Sequence, residues 1–209
     1  MKKALFLIVL CLLCACAFAE NYPFGVLVCP ATFPEGMEVG PLASAQASVA
    51  VSNAINDKPS MCAITFNKQN PYFKQAAEDG VIEESDLDDV VSIDDAERIA
   101  TGMDCDGYAL VECKSFTNDY KKNHYARGIF VVSIYKNGVA DPIFSEEINV
   151  RYDGLQGYWK AKTDAAAFEK VCFCFHKSLY KKLKKLNGFD YKDLKVVEPL
   201  VDVDAEDEE

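Results

Sequence analysis

The apolar residues after position 20 form short runs and helix-spaced stripes that alternate along the chain. Short runs predict strands at 24–29, 61–66, 107–116, 129–135 and 143–150. Spacings of three and four residues predict helices at 42–56, 71–80 and 93–102, and a longer one from 164 to the glycine at 188. This order predicts an α/β (α+β) fold, a single domain with a mixed or antiparallel sheet of about five strands. We expect the helices mainly on one face of that sheet, with a long helix at its C-terminal end.

Local signals refine the boundaries of these elements. Ser92, with Asp95 three residues later, resembles a capping box and predicts a helix start. The dipeptide Asn137-Gly138 predicts a hairpin between the last two strands. Because proline cannot donate to a sheet ladder, Pro142 predicts that the strand following it lies at or near the edge of the sheet.

Two helices also have predicted faces. In the first, one stripe consists of Leu42, Ala45, Val49 and Ser52, with Val51 and Ile55 beside it. Asp164 is the predicted N-cap of the last helix, whose apolar stripe runs from Phe168 to Leu186. Lysines crowd the C-terminal half of that helix, where cations interact favourably with the helix dipole. We expect them to form a solvated face; contact with anionic lipid or an acidic partner is the alternative.

The N-terminus has the pattern of an export signal. Two lysines precede a continuous apolar run at 4–19, which is shorter than the roughly 20 residues needed to span a bilayer. The tripeptide Ala-Phe-Ala at 17–19 predicts cleavage before Glu20 by signal peptidase. Alternatively, the segment 13–16 resembles a bacterial lipobox, in which Cys16 would be acylated and become the mature N-terminus. Both alternatives predict an exported mature chain without a transmembrane helix: periplasmic, secreted or lipid-anchored at the cell envelope.

Composition and charge indicate three segments in the chain and argue against nucleic acid as a partner. We predict a signal peptide at 1–19, a single α/β domain at 20–190 and an acidic disordered tail at 191–209, whose last eight residues include six acids. The whole chain has 22 Lys and Arg against 33 Asp and Glu, for a formal net charge of −11. Such a chain repels phosphate backbones, so we expect no nucleic-acid partner.

Six cysteines follow the predicted signal: Cys29, Cys62, Cys105, Cys113, Cys172 and Cys174. An exported chain meets an oxidising compartment, so up to three disulfides are possible among them. Several of the cysteines lie inside strand-like runs, where a thiol often serves as a small buried hydrophobic group. Disulfides and buried free thiols both remain open. These six cysteines contain no C-x-x-C pair, the spacing that would favour a metal site.

Three segments resemble a group of bacterial envelope domains. The first strand ends in Val-Leu-Val before Cys29 and Pro30, the segment Asp95 to Val111 leads into the third strand, and a hairpin surrounds Asn137-Gly138. Together they resemble the curli-secretion lipoprotein (CsgG-like), TolB N-terminal and penicillin-binding-protein-activator domains, over roughly Phe24 to Leu186. The resemblance implies an anticodon-binding-like α/β fold. It also implies a binding or assembly module of the envelope without catalytic residues.

Candidate catalytic chemistry is sparse. The chain lacks G-x-S-x-G, H-E-x-x-H and phosphate-binding G-x-x-x-x-G-K-[ST] patterns, so we expect no catalytic residues and no cofactor. A Cys-His hydrolase would have to use Cys29, which ends the first strand, with His124 or His176. We expect His124 to be a solvated loop residue and His176 to lie at the boundary or on the exposed side of its helix.

A calcium site is the other chemical alternative. Its candidate ligands are Asp86, Asp88, Asp89, Asp94, Asp95, Asp104 and Asp106. Calcium loops of the EF type need oxygen ligands at alternate positions, a central glycine and a closing glutamate, and this segment supplies only a fragment of that order. We therefore expect helix caps, a solvated acidic surface and no bound metal.

The preferred hypothesis is an exported, non-enzymatic envelope or secreted module that binds another protein. Its candidate surfaces are the sheet edge Ile143 to Val150 and the loops Pro30 to Gly40 and Asp119 to Tyr125. The alternatives are a small secreted hydrolase with an unrecognised site and an acidic calcium-responsive surface protein.

Overall fold

The computed structural model describes residues 23–37, 39–87, 92–119, 125–153 and 163–186. Its strands are β1 Phe24–Val28, β2 Met61–Thr65, β3 Gly107–Asp119, β4 Tyr125–Lys136 and β5 Phe144–Tyr152. Its helices are α1 Ala43–Asn56, α2 Pro71–Glu78, α3 Ile93–Gly102 and α4 Asp164–Leu183, with a 3-10 turn at Glu84–Leu87. The predicted signal peptide, Cys16, His124 and the acidic tail lie outside the described residues.

The five strands form one mixed sheet in the order β2-β1-β3-β4-β5. The strand β1 pairs in parallel with both β2 and β3, whereas β3, β4 and β5 pair antiparallel. The helices α1 and α3 lie in the connections that parallel pairing requires. The mixed sheet and the edge position of β5 confirm the sequence predictions.

The two longest helices, α1 and α4, pack on the same face of the sheet. Phe130 of β4 and Phe175 of α4 stack there with ring centroids 4.1 Å apart, and both are fully buried. Burial of one such side chain stabilises a fold by roughly 1.5–3 kcal/mol. This face forms the main core, and it confirms that the helices lie mainly on one side of the sheet.

The shorter helices cover part of the opposite face. A second core there joins Leu27 of β1 and Tyr108 of β3 to Phe73 of α2 and Ile99 of α3. The helix α3 packs on β1 and β3. Among the described helices, α4 is the one with its packing contacts on β4 and β5. The second face is therefore covered over β1 and the start of β3, and open farther along the sheet.

Turn and cap chemistry accounts for several boundaries. Ser92 and Asp95 form a capping box at the start of α3, as predicted. The predicted hairpin is also present. The Val139 N–H donates to the Lys136 carbonyl at 3.1 Å, and Gly138 adopts a φ of +75°, which glycine adopts without steric cost.

Two helix predictions are wrong in detail. In the predicted stripe of α1, Leu42 and Val49 are exposed, whereas Ser52 is buried. The buried face includes the neighbouring Val51 and Ile55 together with small residues such as Ala47, and these small side chains let α1 lie close to the sheet. The N-cap of α4 is Thr163, whose side chain accepts a hydrogen bond from the Ala166 N–H, and Asp164 is the first helical residue.

Candidate functional site

On β3 beyond Tyr108, and on β4 and β5, the side chains that point away from α4 are half-buried or exposed. We call this surface the open sheet face. It comprises Leu110, Glu112, Ile129, Val131, Ser133, Tyr135, Ser145, Glu147 and Asn149. On β4 the alternate residues Phe130, Val132 and Ile134 are fully buried against the main core. Because side chains alternate across a strand, their neighbours on β4 point to the opposite side, where they are half-buried.

The open sheet face has an apolar centre and polar margins. Val131 lies opposite Glu112 of β3 on one side and opposite Glu147 of β5 on the other. The Lys114 ammonium lies 3.7 Å from the Glu147 carboxylate, and both side chains are about half exposed. An apolar row bordered by charged and hydroxyl groups is typical of a surface that contacts another protein.

A depression of about 280 Å³ adjoins the open sheet face where β1 ends and α3 begins. Its lining includes Cys29, Ile93, Leu110, Val131 and Tyr135, with Glu112 as its carboxylate. Ile93 is 48% exposed although it starts a helix that packs on the sheet. The depression therefore adds exposed apolar surface to the face rather than a cluster of reactive groups.

The structure separates the candidate residues of a Cys-His hydrolase. Cys29 belongs to the second core, whereas His176 lies on α4, which packs against the opposite face of the sheet. The His176 Nε2 atom is 2.8 Å from the Asp57 carboxylate at the end of α1, so this histidine links two helices. Burial raises the pKa of the Cys29 thiol to about 12, which keeps it protonated and weakly nucleophilic at neutral pH.

All six cysteines in the described part of the chain are free thiols. Burial also raises the pKa of Cys113 to about 11 and that of Cys172 to about 12, and both side chains pack in the main core. Cys62 is exposed on β2, and Cys105 is half-buried before β3. In the core these thiols fill space as small apolar groups.

Three of the candidate calcium ligands, Asp86, Asp95 and Asp106, have structural partners. Asp86 is buried and lies 2.6 Å from the Arg98 guanidinium, contrary to the predicted solvated acidic surface. Asp95 caps α3, and hydrogen bonds from Ser92 and Arg98 hold the pKa of its carboxyl below the usual value. Asp88 and Asp89 lie outside the described residues. Within the described ranges, no three His, Cys, Asp or Glu side chains are placed to hold a metal ion.

The outer edge of β5 is the second candidate surface. In the part of the chain that the structure describes, β5 is the last strand and pairs only with β4, so its outer edge has no strand partner. Ser145, Glu147 and Asn149 of this strand are exposed and belong to the open sheet face. Edge and face therefore meet along one strand, and a partner could use both.

The predicted loop surface at 30–40 is partly structural. The Thr32 N–H donates to the Val111 carbonyl at 2.9 Å, and the Thr32 carbonyl accepts from Cys113 at 2.9 Å. This short bridge continues the pairing of β3 beyond the end of β1. Ala31 and Val39 are buried, whereas Thr32, residues 34–36 and Gly40 are exposed. The loop at 119–125 lies mostly outside the described residues.

Hydrophobic patterning did not reveal the open sheet face. Residues 129–135 form an almost unbroken apolar run, which predicted burial without showing which side is covered. Ser133 is the one polar residue in that run, and its hydroxyl lies 3.0 Å from that of Ser145 on β5. This serine was the available signal that one side of β4 meets solvent.

Among known proteins, the chain is similar only to solved structures, at low TM-scores and low sequence identity. No family model matches the chain, and no curated protein matches it. A hypothetical protein from Chlamydia trachomatis is similar at a TM-score of 0.45 and 11% identity, covering 79% of this chain and 96% of its own. The LpoB C-terminal domain from Escherichia coli gives a TM-score of 0.45 at 12% identity, covering 62% of this chain and 84% of its own.

A further similar structure is the PelC dodecamer from Paraburkholderia phytofirmans. Its TM-score is 0.44 at 9% identity, and the match covers 77% of this chain and 87% of that chain. All of these TM-scores are below 0.5, so we infer neither a family nor a function from them.

Among the helices that the structure describes, none combines the length and apolar composition needed to cross a membrane.

Proposed function

We propose that this protein is an exported, non-enzymatic module that binds another protein through the outer edge of β5 and the open sheet face. The observation that carries the proposal is the position of β5. It is a nine-residue strand with no described partner on its outer side. Unpaired N–H and C=O groups on such an edge can accept a strand from another chain. The partner strand would extend the sheet and cover the apolar row on β4.

The local chemistry favours binding over catalysis. The open sheet face presents half-buried Val131 and Ile129 beside exposed charges, which suits recognition of a complementary surface. The buried thiol at Cys29 is protonated at neutral pH and lies on the other side of the sheet from α4, which carries His176. The resemblance in sequence to envelope binding modules implies the same class of function.

Site-specific photocrosslinking in the producing cell tests the binding surface. A benzoylphenylalanine at position 149 replaces an exposed asparagine on β5, and the matched control at position 53 replaces an exposed asparagine on α1. We expect one discrete protein adduct from position 149, at least fivefold stronger than any adduct from position 53. Equal labelling from both positions, or none from position 149, would contradict the proposed surface.

Export is tested independently by the mass of the mature protein purified from the producing cell. Cleavage after Ala19 leaves a free amine on Glu20, whereas lipidation leaves an acylated Cys16 at the N-terminus. Either mass supports export. Recovery of the chain with residues 1–19 intact would contradict it. Because this readout does not depend on a partner, the two parts of the proposal fail separately.

A further inference from the structure

The side of α4 that points away from the core carries a row of lysines interleaved with aromatic rings. We call it the basic stripe, and it consists of Phe173, Lys177, Tyr180, Lys181 and Lys184. Phe173, Lys177, Tyr180 and Lys184 follow one another at steps of four, three and four residues, and Lys181 lies four residues after Lys177, which places all five on one side of a helix. From Phe173 to Lys184 the row is about 16 Å long at 1.5 Å per residue.

Four of the five residues of the stripe are exposed, and Tyr180 is half-buried where the stripe borders the main core. Phe173 is 55% exposed, and the Lys177 ammonium lies over its ring at 4.2 Å from the centroid. Lys184 lies similarly over Tyr180 at 4.9 Å. Large exposed aromatic side chains flanked by cations are characteristic of surfaces that become covered in use.

The lysines of the stripe have no carboxylate partner among the described residues. The neighbouring Lys182 differs, because it points toward β5 and pairs with Glu146. No described Asp or Glu lies within 4.0 Å of the ammonium groups of Lys177, Lys181 or Lys184. In a chain with a formal net charge of −11, a run of cations without a carboxylate partner in the described ranges is a local exception.

The chain itself supplies a complementary segment. α4 ends at Leu183, and the sequence continues for 23 residues beyond Leu186, to Glu209. Six of the eight residues at 202–209 are acidic. The 15 residues between Leu186 and Asp202 can span at most about 50 Å, three times the length of the stripe. The acidic segment can therefore reach every lysine of the row.

We propose that residues 202–209 dock on the basic stripe of α4 within the same molecule. Tethering gives the acidic segment an effective concentration in the millimolar range, so even a weak contact is substantially occupied. Charge complementarity favours the acidic segment over an anionic lipid surface, because the net negative charge of the rest of the chain would repel such a surface. The docked tail would shield the stripe from anionic surfaces and acidic partners.

Carbodiimide cross-linking of the full-length protein tests this contact. The reagent joins lysine amines to carboxylates in direct contact, and a mixture of light and heavy isotope-labelled protein separates intramolecular from intermolecular links. We expect links from 202–209 to Lys177, Lys181 and Lys184 at least fivefold more abundant than links to Lys74 and Lys136. These two controls are also exposed, on α2 and β4. The excess should disappear at about 0.5 M salt, because screening shortens the range of surface charges.

A variant with a neutral tail gives the second measurement. It replaces the six acids by their amides: Asp202→Asn, Asp204→Asn, Glu206→Gln, Asp207→Asn, Glu208→Gln and Glu209→Gln. We expect this variant to bind vesicles containing about one-third phosphatidylglycerol at least fivefold more tightly than the unmodified protein at low salt. Links spread evenly over all exposed lysines, or links only between molecules, would overturn the proposal. Equal vesicle binding by the two proteins would overturn it as well.

Discussion

Gly25 and Asp106 exchange two hydrogen bonds where β1 and β3 begin to pair. The Gly25 N–H donates to a carboxylate oxygen of Asp106 at 2.9 Å, and the Asp106 N–H donates to the Gly25 carbonyl at 2.8 Å. The regular parallel ladder starts one residue later, with Val26 opposite Gly107. The Asp106 side chain thus replaces the backbone acceptor that Gly25 lacks at this position, which gives this carboxylate a structural role.

Asp106→Ala should destabilise the protein by about 1–3 kcal/mol, because it leaves the Gly25 N–H without this acceptor in a partly buried position. Asp106→Asn retains an acceptor oxygen and should cost less. Urea unfolding measures the differences. Asp104→Asn is the control, because Asp104 is an exposed neighbour whose positive φ of 55° is tolerated by asparagine. Equal stability of Asp106→Ala and this control would refute the role of the carboxylate.

Two glycines of adjacent strands predict opposite responses to the same substitution. A Cβ atom at Gly107 would lie 2.0 Å from the Tyr135 carbonyl oxygen, so Gly107→Ala must push β3 and β4 apart. We expect a loss of about 3 kcal/mol or more. At Gly25 the nearest atom would be 3.6 Å away, an ordinary contact, and Gly25→Ala should change stability by less than about 1 kcal/mol. Similar thermal midpoints for the two variants would contradict the close approach of β3 to β4.

The buried thiols predict a loss of stability in alkali. The pKa of Cys29 is raised from 9.0 to about 12, mainly by burial, so the folded state holds a proton that the unfolded state releases above pH 9. The stabilising contribution is therefore complete below pH 9 and is lost as the pH rises toward 12. Urea unfolding at pH 8, 9 and 10 measures this trend. Stability that rises over that range would contradict it.

Thiol alkylation at pH 8 provides a residue-level readout of the same burial. We expect exposed Cys62 to react first with iodoacetamide, and buried Cys29, Cys113 and Cys172 to react at least tenfold more slowly until the protein is unfolded. Peptide mass spectrometry gives each rate. Uniform rates in the folded protein would show that these thiols are accessible.

Local chemistry made the order of elements predictable from the sequence. The capping box at Ser92 and the turn at Gly138 depend on residues close in the chain, and both formed where expected. Pro142 is also a local signal. Because a proline cannot donate a hydrogen bond to a sheet ladder, it indicated that β5 lies at or near an edge of the sheet, and β5 is an edge strand.

Coverage of the sheet was not predictable, because it depends on partners distant in sequence. Leu42 and Val49 are exposed, whereas Val51 and Ile55 are fully buried among small residues of α1, and no local signal distinguishes these two pairs of apolar residues. Asp86 illustrates the same limit: its acidic neighbourhood indicated solvent, but Arg98 from α3 lies over it and pairs with it. The open sheet face exists because α2 and α3 cover the second face of the sheet only over β1 and the start of β3.

Adjacent valines on β4 test the open sheet face directly. Val132 is fully buried in the main core, whereas Val131 is half-buried on the open side. Val132→Asp places a carboxylate among apolar side chains, and we expect a loss of more than about 4 kcal/mol and failure to fold. Val131→Asp should cost less, about 1–2 kcal/mol, because its carboxylate stays hydrated although it lies opposite Glu112 and Glu147.

The same pair separates folding from binding. In a chain that also carries the photocrosslinker at position 149, Val131→Asp should reduce the partner adduct at least fivefold, while the circular dichroism spectrum remains that of the parent and urea unfolding still shows a folded protein in the absence of urea. The reason is that Val131 lies one strand away from the edge, opposite Glu147, where a docked partner would bury it. A stable Val131→Asp protein with an undiminished adduct would restrict the binding surface to the outer edge of β5 and remove the open sheet face from it.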